Sequence, residues 1–301
     1  MQEVVKFIKE NNIGKYETNY SIKKLTTYKV GGNTRVLSYP KNTNKLILLL
    51  KYLKEHNIKY KVIGNGSNLL FSDKVYNGVL IKLSEFDELE IKGTSIKVGA
   101  GYSLIKLAKE AMKRSLTGLE FASGIPGSVG GSVFMNAGAY KSDMGYVVKG
   151  VKVLTPDFQI ITLVNKELDF HYRSSFFQKN RDYICLEVYI GLKRGKKEAI
   201  ETVVKDRLKR RLQTQPLEYP SAGSVFRNPK DKYAGEMIEN LGLKGLYIGK
   251  AQISEKHANF IINTGGASAS NIKELMDLVK ETVKENYDID LKVEQELVNW
   301  E

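Results

Sequence analysis

Apolar residues along the chain recur at helical spacing in some segments and at every second position in others. Leu46, Leu50 and Leu53 follow helical spacing, which predicts an amphipathic helix that begins at Asn42 or Thr43. By the same criteria, helices are predicted at about 2–11, 43–55, 103–114, 198–212, 236–241 and 271–286. Strands are predicted at about 34–37, 60–63, 79–83, 89–91, 96–98, 147–154, 160–163, 183–192, 260–263 and 289–298.

The predicted helices and strands intermingle along the whole chain, and no internal repeat is visible. This order predicts a mixed α/β protein of two or three lobes, and 301 residues suffice for about two domains. Gly195 and the lysines after it read as a joint before a basic helix, so we expect a domain boundary near residue 195.

The charge of the chain admits three interpretations. A formal net charge of +13 is compatible with nucleic-acid binding, with binding of anionic small molecules such as nucleotides, or with a lysine-rich solvated surface. The last is favoured because the lysines are spread evenly, apart from a dense cluster at 205–211.

Three features predict a cytoplasmic protein without a membrane-inserted segment. No apolar run approaches the ~20 residues that span a bilayer. The first residues mix acids with bases and lack the apolar core of a signal peptide. Cys185 is the only cysteine, which excludes an internal disulfide and fits a reducing compartment.

Residues 118–145 combine many glycines with large apolar side chains. Because glycine loses much backbone entropy on ordering, this density argues against a helix or strand interior. Pro126 and Gly127 form a turn, and the N–H groups of successive glycines can surround a phosphate or the edge of a heterocycle. Two interpretations stay open: backbone held against a ligand, or a turn region that lets two sheets pack closely.

A second glycine-bearing loop, 64–68, directly follows a predicted strand. It is not the Rossmann fingerprint, because Leu69 stands in place of the third glycine, and there is no Walker A sequence. Two such loops about sixty residues apart suit a dinucleotide whose pyrophosphate lies between two small sheets. His56, His171 and His257 are isolated from one another in sequence, so we predict no metal site.

Three polar positions stand in apolar surroundings, and each has a structural alternative. Arg173 lies among aromatic residues, where it can bind a carboxylate or phosphate, or extend from the edge of a core. Ser224 follows a glycine turn, where most serines are structural. Glu294 lies in the predicted last strand with Glu296 on the same face, and strand acids are commonly solvated.

Taken in order, these fragments resemble the UDP-N-acetylenolpyruvoylglucosamine reductase (UDP-N-acetylmuramate dehydrogenase) family, in its shorter subclass, over nearly the whole chain. The matching fragments are 26–40, 62–73, 122–140, 172–177, 216–229, 250–263 and the final strand. The first two-thirds also resemble the FAD-binding fold of the vanillyl-alcohol oxidase superfamily. The resemblance implies an α+β protein with two FAD-binding α/β lobes, 1–84 and 85–195, and a smaller substrate-binding domain, 196–301.

The resemblance also implies an activity and its residues. NADPH would reduce FAD, and hydride would pass to UDP-N-acetylglucosamine enolpyruvate while Ser224 donates a proton and Arg173 and Glu294 act at the substrate carboxylate. Tyr172 and Asn228 would contact the substrate. The implied FAD-binding residues are Gly64, Asn65, Gly66, Ser67, Asn68, Ser123, Gly124, Ile125, Gly127, Ser128, Gly131 and Asn136.

The chain departs from the family pattern in a few places. Glu296 could substitute for Glu294, and Lys250 and Asn259 replace customary glycines. Neither glycine loop contains His or Cys, so we expect FAD to be dissociable. We also expect a monomer that binds no nucleic acid. The alternative functions are a flavin oxidase of the same superfamily and a nucleic-acid-binding protein that uses the basic cluster 205–211.

Overall fold

The structure is a computed structural model that describes residues 1–301. The helices are α1 (Gln2–Glu10), α2 (Thr43–Glu55), α3 (Leu104–Lys113), α4 (Val129–Phe134), α5 (Met144–Val147), α6 (Phe176–Lys179), α7 (Lys197–Thr214), α8 (Ala234–Asn240) and α9 (Ala269–Tyr287). Short 3-10 helices span Ile22–Lys24, Glu120–Ala122 and Asn165–Leu168. None of these helices combines the length and the apolar character that crossing a membrane requires.

Strands alternate with the helices along the whole chain. They are β1 (Gly14–Ser21), β2 (Asn33–Pro40), β3 (Tyr60–Ile63), β4 (Leu69–Phe71), β5 (Tyr76–Lys82), β6 (Leu89–Lys92), β7 (Ser95–Gly99), β8 (Leu116–Thr117), β9 (Gly138–Ala139), β10 (Ser142–Asp143), β11 (Val148–Leu154), β12 (Ile160–Val164), β13 (Ile184–Gly191), β14 (Lys193–Arg194), β15 (Tyr247–Ile248), β16 (Ala251–Ile253), β17 (Ile261–Asn263) and β18 (Glu296–Val298). All six predicted helices are confirmed, with ends that differ by no more than two residues.

The chain forms two compact units, each assembled from separate segments. Unit 1 contains Met1–Thr18, Val36–Asn65 and Gly78–Arg210, and unit 2 contains Asn19–Arg35, Gly66–Asn77 and Arg211–Glu301. The first 77 residues therefore contribute to both units. The three predicted domains, 1–84, 85–195 and 196–301, remain a prediction.

Unit 1 is built on an antiparallel five-stranded sheet with the order β12-β11-β13-β7-β6. A four-stranded sheet has the order β1-β2-β5-β3, in which β3 runs parallel to β5. Helix α2 begins as predicted, because the Asn42 side chain accepts a hydrogen bond from the Lys45 N–H. Its apolar face is buried in the core of the unit, which explains why helical spacing located it correctly.

The glycine-rich stretch 118–145 contains a helix, so the expectation of a non-helical segment is wrong there. Helix α4 lies inside it, begins at the N-cap Ser128 and includes Gly130 and Gly131. A Cβ atom on Gly130 would lie 2.8 Å from the Ala100 Cβ, so close packing requires glycine there. The entropic penalty of glycine is thus outweighed by a backbone contact that a larger residue would prevent.

Unit 2 has its own core around α9 and the three-stranded sheet β15-β16-β17. The Asp73 carboxylate accepts hydrogen bonds from the N–H groups of Ala269 and Ser270 at 2.9 and 3.0 Å, which satisfies the first turn of α9. Ser268 caps the same helix, so α9 begins two residues before its predicted start.

The predicted strand 289–298 is wrong over most of its length. Only β18 is a strand, and it pairs in parallel with β4, whereas Val293 forms an isolated antiparallel bridge with Phe226. The chain changes partner at a bend at Gln295, so no continuous ladder forms. Glu294 therefore lies before the last strand, and the alternation that placed Glu294 and Glu296 on one face does not hold across the bend.

Candidate active site

Arg173 occupies a strained turn in unit 1. The N–H groups of His171 and Ser174 each donate to the other's carbonyl oxygen at 3.0 Å, and between them Arg173 has a φ of 54°. This left-handed conformation is uncommon for residues other than glycine, and such strain persists only where the surroundings impose it. A strained arginine inside a tight turn is a candidate functional group.

Two amide side chains impose the conformation of this turn. Asn136 donates to the His171 carbonyl at 2.9 Å and accepts from the Gly145 N–H at 2.9 Å. Gln178 donates to the Arg173 carbonyl at 2.8 Å. Asn136 was predicted to bind the cofactor; its amide links the His171 end of the turn to the Gly145 backbone, and a cofactor contact there stays a prediction.

The guanidinium of Arg173 is also oriented. It donates to the Gly138 carbonyl at 3.0 Å and lies over the Tyr172 ring, 5.1 Å from the centroid. Tyr172 is 53% exposed, so this stacked pair faces solvent. A planar guanidinium carries its donors in a geometry that suits a carboxylate or phosphate.

The two predicted glycine loops meet inside unit 1. The buried Ser128 hydroxyl accepts from the Gly131 N–H at 3.3 Å, and a Cβ on Gly64 would lie 2.6 Å from that hydroxyl. The loop that begins at Gly64 therefore packs directly on the start of α4. The N–H groups of Gly124 and Gly127 donate no hydrogen bond within the chain, so they can serve a bound group.

The second half of the loop, 66–68, belongs to unit 2. Gly66 has a φ of 66°, and a Cβ on it would lie 2.1 Å from the Leu25 carbonyl oxygen. The Thr27 N–H donates to the Gly66 carbonyl at 3.3 Å, while the buried Thr27 hydroxyl has no partner in the chain. A buried orphan hydroxyl beside a glycine loop fits a ligand with a hydrogen-bonding edge. Thr27 was not predicted as a site residue, although it lies in one of the matching fragments.

Unit 2 also joins three sequence-distant candidates: the loop residue Asn68, Ser224 and Glu294. The Glu294 N–H donates at 2.8 Å to the carbonyl of Val225, the residue after Ser224. The Asn68 side chain donates to the Glu294 carbonyl at 3.1 Å. Glu296 lies in β18, where its N–H donates to the Asn68 carbonyl and it pairs with Leu69. The backbone beside Ser224 is thus that of Glu294.

Asn259 fixes the backbone of the two residues that follow Ser224. Its buried amide accepts from the Phe226 N–H at 2.9 Å and donates to the Phe226 carbonyl at 2.8 Å, and its carbonyl accepts from the Val225 N–H. Burial lowers the pKa of His257, whose ring nitrogen accepts from the Asn259 N–H at 3.2 Å. The sequence marked Asn259 only as a replaced glycine, and its bonds depend on a partner 33 residues away.

Asn228, predicted to contact the substrate, also has a structural bond. Its side-chain oxygen accepts from the Ala234 N–H at 3.1 Å, before α8. That bond uses the side-chain oxygen, and the amide NH₂ is a separate donor group.

Comparisons with known proteins agree with this arrangement. Residues 215–298 match the family described as UDP-N-acetylenolpyruvoylglucosamine reductase, C-terminal domain, and residues 34–163 match the FAD binding domain family. These matches confirm the predicted α+β fold with an FAD-binding region and a separate C-terminal domain.

Relatives match over almost the full chain. UDP-N-acetylenolpyruvoylglucosamine reductases of Bacillus subtilis and Halalkalibacterium halodurans are 44% and 46% identical, each over 99% of this chain and 99% of the relative. The crystal structure of UDP-N-acetylenolpyruvylglucosamine reductase (MurB) from Thermus caldophilus is 34% identical, with a TM-score of 0.80, over 94% of this chain and 98% of that one. The chain therefore belongs to the UDP-N-acetylenolpyruvoylglucosamine reductase family.

Proposed function

We propose that this enzyme reduces UDP-N-acetylglucosamine enolpyruvate to UDP-N-acetylmuramate, a step of peptidoglycan synthesis, with NADPH as reductant and FAD as cofactor. The observation that carries the proposal is the link in unit 2 between Asn68, Glu294 and the backbone after Ser224. It connects a glycine loop inferred to bind the cofactor with an acid and a hydroxyl suited to protonate a substrate carbon.

Each unit carries groups that suit a flavin nucleotide. Unit 1 offers the N–H groups of Gly124 and Gly127, and unit 2 offers the orphan Thr27 hydroxyl beside Gly66. Bound FAD supplies the chemistry of accepting hydride from NADPH and passing hydride to the enolpyruvyl C3. Since neither glycine loop contains His or Cys, the cofactor is held without a covalent bond.

The protein's own groups manage charge and proton transfer. Arg173 binds the substrate carboxylate and stabilises negative charge as the substrate approaches an enolate. Ser224 donates its hydroxyl proton to C2, a step open to so weak an acid only when the carbon is strongly basic. Glu294 acts at the same carboxylate, where a carboxyl group donates a hydrogen bond only in its protonated form. NADPH and one proton are consumed for each product formed.

The remaining contacts are assigned to Tyr172 and Asn228. Tyr172 offers an exposed ring against Arg173, and the Asn228 amide supplies an NH₂ donor beside the oxygen that binds the Ala234 N–H. The substrate is a small anionic molecule, so its electrostatic attraction accounts for the net charge of +13 without nucleic-acid binding. We propose a cytoplasmic monomer.

An anaerobic half-reaction experiment on Ser224→Ala tests the assignment. NADPH should reduce the flavin of the variant at the wild-type rate, because Ser224 acts only in the second half-reaction. Reoxidation by the enolpyruvyl substrate should slow by about 100-fold, the typical contribution of a positioned acid. Ser221→Ala, three residues upstream, serves as control and should reoxidise normally.

The outcome separates the alternatives. A wild-type enzyme that is reoxidised by UDP-N-acetylglucosamine enolpyruvate but not by UDP-N-acetylglucosamine supports the reductase. A flavin that stays reduced with the substrate, yet reoxidises rapidly in air, would contradict the proposal and favour a flavin oxidase.

A further inference from the structure

A buried glutamine in unit 2 lies against the turn that carries Ser224. Gln295 is 4% exposed, at the bend between Glu294 and β18. Its NH₂ group lies 3.3, 3.3 and 3.4 Å from the carbonyl oxygens of Ala222, Gly223 and Ser224. Three consecutive carbonyls converge on one side-chain donor because Gly223 has a φ of 74°, which turns the chain around it.

The other end of the Gln295 amide is anchored by a buried tyrosine. The Tyr28 hydroxyl donates to the Gln295 Oε1 at 3.0 Å, and Tyr28 is fully buried. Burial raises the pKa of Tyr28 above its ordinary value, so the hydroxyl stays protonated and remains a donor. Carbonyl oxygens can only accept, so the NH₂ must face the turn and Oε1 must face Tyr28. In the flipped orientation of the amide, Oε1 would face the three carbonyl oxygens, none of which can donate a hydrogen bond.

The two flanks of Ser224 are held by different groups. After Ser224, the backbone of Val225 and Phe226 is fixed by Asn259 and by the Glu294 N–H. Before and at Ser224, the chain is irregular, and its carbonyls converge on the Gln295 amide. Without that donor, the carbonyls of 222–224 would lose a shared partner and the turn would relax.

We propose that the Tyr28–Gln295 pair is the positioning device of the reaction: it fixes the turn so that the Ser224 hydroxyl is aimed at the substrate carbon. Gln295 is a positioning residue, because it touches the serine backbone and acts through it. This inference rests on the proposed function, in which Ser224 is the proton donor.

The test uses the FAD-loaded full chain and Gln295→Met, which preserves side-chain length but removes both polar ends. Reoxidation of the NADPH-reduced flavin by the substrate should slow by about 10- to 100-fold, as expected when a reacting group is misplaced by about 1 Å. Flavin reduction by NADPH should be unchanged. Tyr28→Phe, which removes only the anchor of the amide, should slow reoxidation less than Gln295→Met does.

The matched control is Gln252→Met. Gln252 also donates its side-chain amide to a loop carbonyl in unit 2, that of Gly245 at 3.1 Å, but this loop carries no proposed catalytic residue. This variant should reoxidise at the wild-type rate. In the double variant Ser224→Ala/Gln295→Met, the second change should add no further slowing, because Gln295 acts only by positioning the Ser224 hydroxyl, which is already absent.

Several results would overturn the positioning role. These are a Gln295→Met enzyme that behaves like the Gln252→Met control, equal slowing of both half-reactions, or further slowing by Gln295→Met once Ser224 is alanine. If Gln295→Met does not fold, an unchanged reoxidation rate in Tyr28→Phe refutes the proposal. A wild-type reoxidation rate in Ser224→Ala would instead refute the proposed role of Ser224 itself.

Discussion

Asn259→Ala is expected to destabilise unit 2 and to slow the second half-reaction together. The substitution removes both hydrogen bonds between the Asn259 amide and the Phe226 backbone, whose N–H and carbonyl are buried. Each buried backbone group left without a partner costs about 1–3 kcal/mol. A loss of about 3 kcal/mol is therefore expected, at the low end of the sum because the cavity left by the amide can admit water.

Chemical denaturation and thermal melting measure this loss. For a unit of about 120 residues, 3 kcal/mol corresponds to a fall in Tm of roughly 12 °C. Asn259→Asp retains an acceptor for the Phe226 N–H but places a carboxylate oxygen against the Phe226 carbonyl, so it should destabilise at least as much. Because Phe226 lies two residues after Ser224, substrate-driven flavin reoxidation should slow in both variants.

Asn11→Ala is the matched control. The Asn11 amide donates to the Phe7 carbonyl at 3.0 Å near the surface, and its loss should change the free energy of unfolding by no more than ~0.5 kcal/mol. The reasoning is refuted if Asn259→Ala loses less than ~1 kcal/mol, since a buried backbone pair cannot lose both partners so cheaply.

Two further predictions concern a glycine and the cysteine. Gly66→Ala should destabilise the protein by more than ~1 kcal/mol and reduce bound flavin, because a left-handed backbone and a contact of 2.1 Å with the Leu25 carbonyl oxygen both oppose a Cβ. The control is Gly93→Ala, since Gly93 has a similar φ but open space around it, and this variant should show only the milder backbone strain. Equal losses of stability in the two variants would contradict the packing argument. Burial raises the pKa of the Cys185 thiol to about 12, so a thiol reagent at about pH 8 should label only denatured protein. The contribution of this neutral thiol to stability is complete below its unfolded pKa of about 9 and is lost as pH rises towards 12. Ready labelling of the folded enzyme would contradict the burial of the Cys185 thiol.

Helices such as α2 could be predicted from the sequence because the interactions that start and bury them lie within a few residues. Helix α2 combines an Asn42 cap with leucines at helical spacing, and both signals lie within thirteen residues. Motif resemblance added the family and the candidate residues Arg173, Ser224 and Glu294. It could do so because the residues of each matching fragment are consecutive in the sequence.

Errors arose where distant partners decide the conformation. The stretch 118–145 reads as non-helical by glycine content, yet α4 forms because Gly130 packs against Ala100. The segment before β18 reads as one strand, yet its partners change from Phe226 to β4 at Gln295. Neither partner can be identified from spacing within the segment.

By itself, the sequence determined the six predicted helices, the α+β class and the family, since caps, periodicity and short motifs act over a few residues. Only the tertiary structure decided that the first 77 residues are divided between two units. It alone showed that Asn259 and the Tyr28–Gln295 pair hold the chain around Ser224, through hydrogen bonds between residues up to 267 positions apart. Such bonds depend on burial and approach in three dimensions, which no local pattern records.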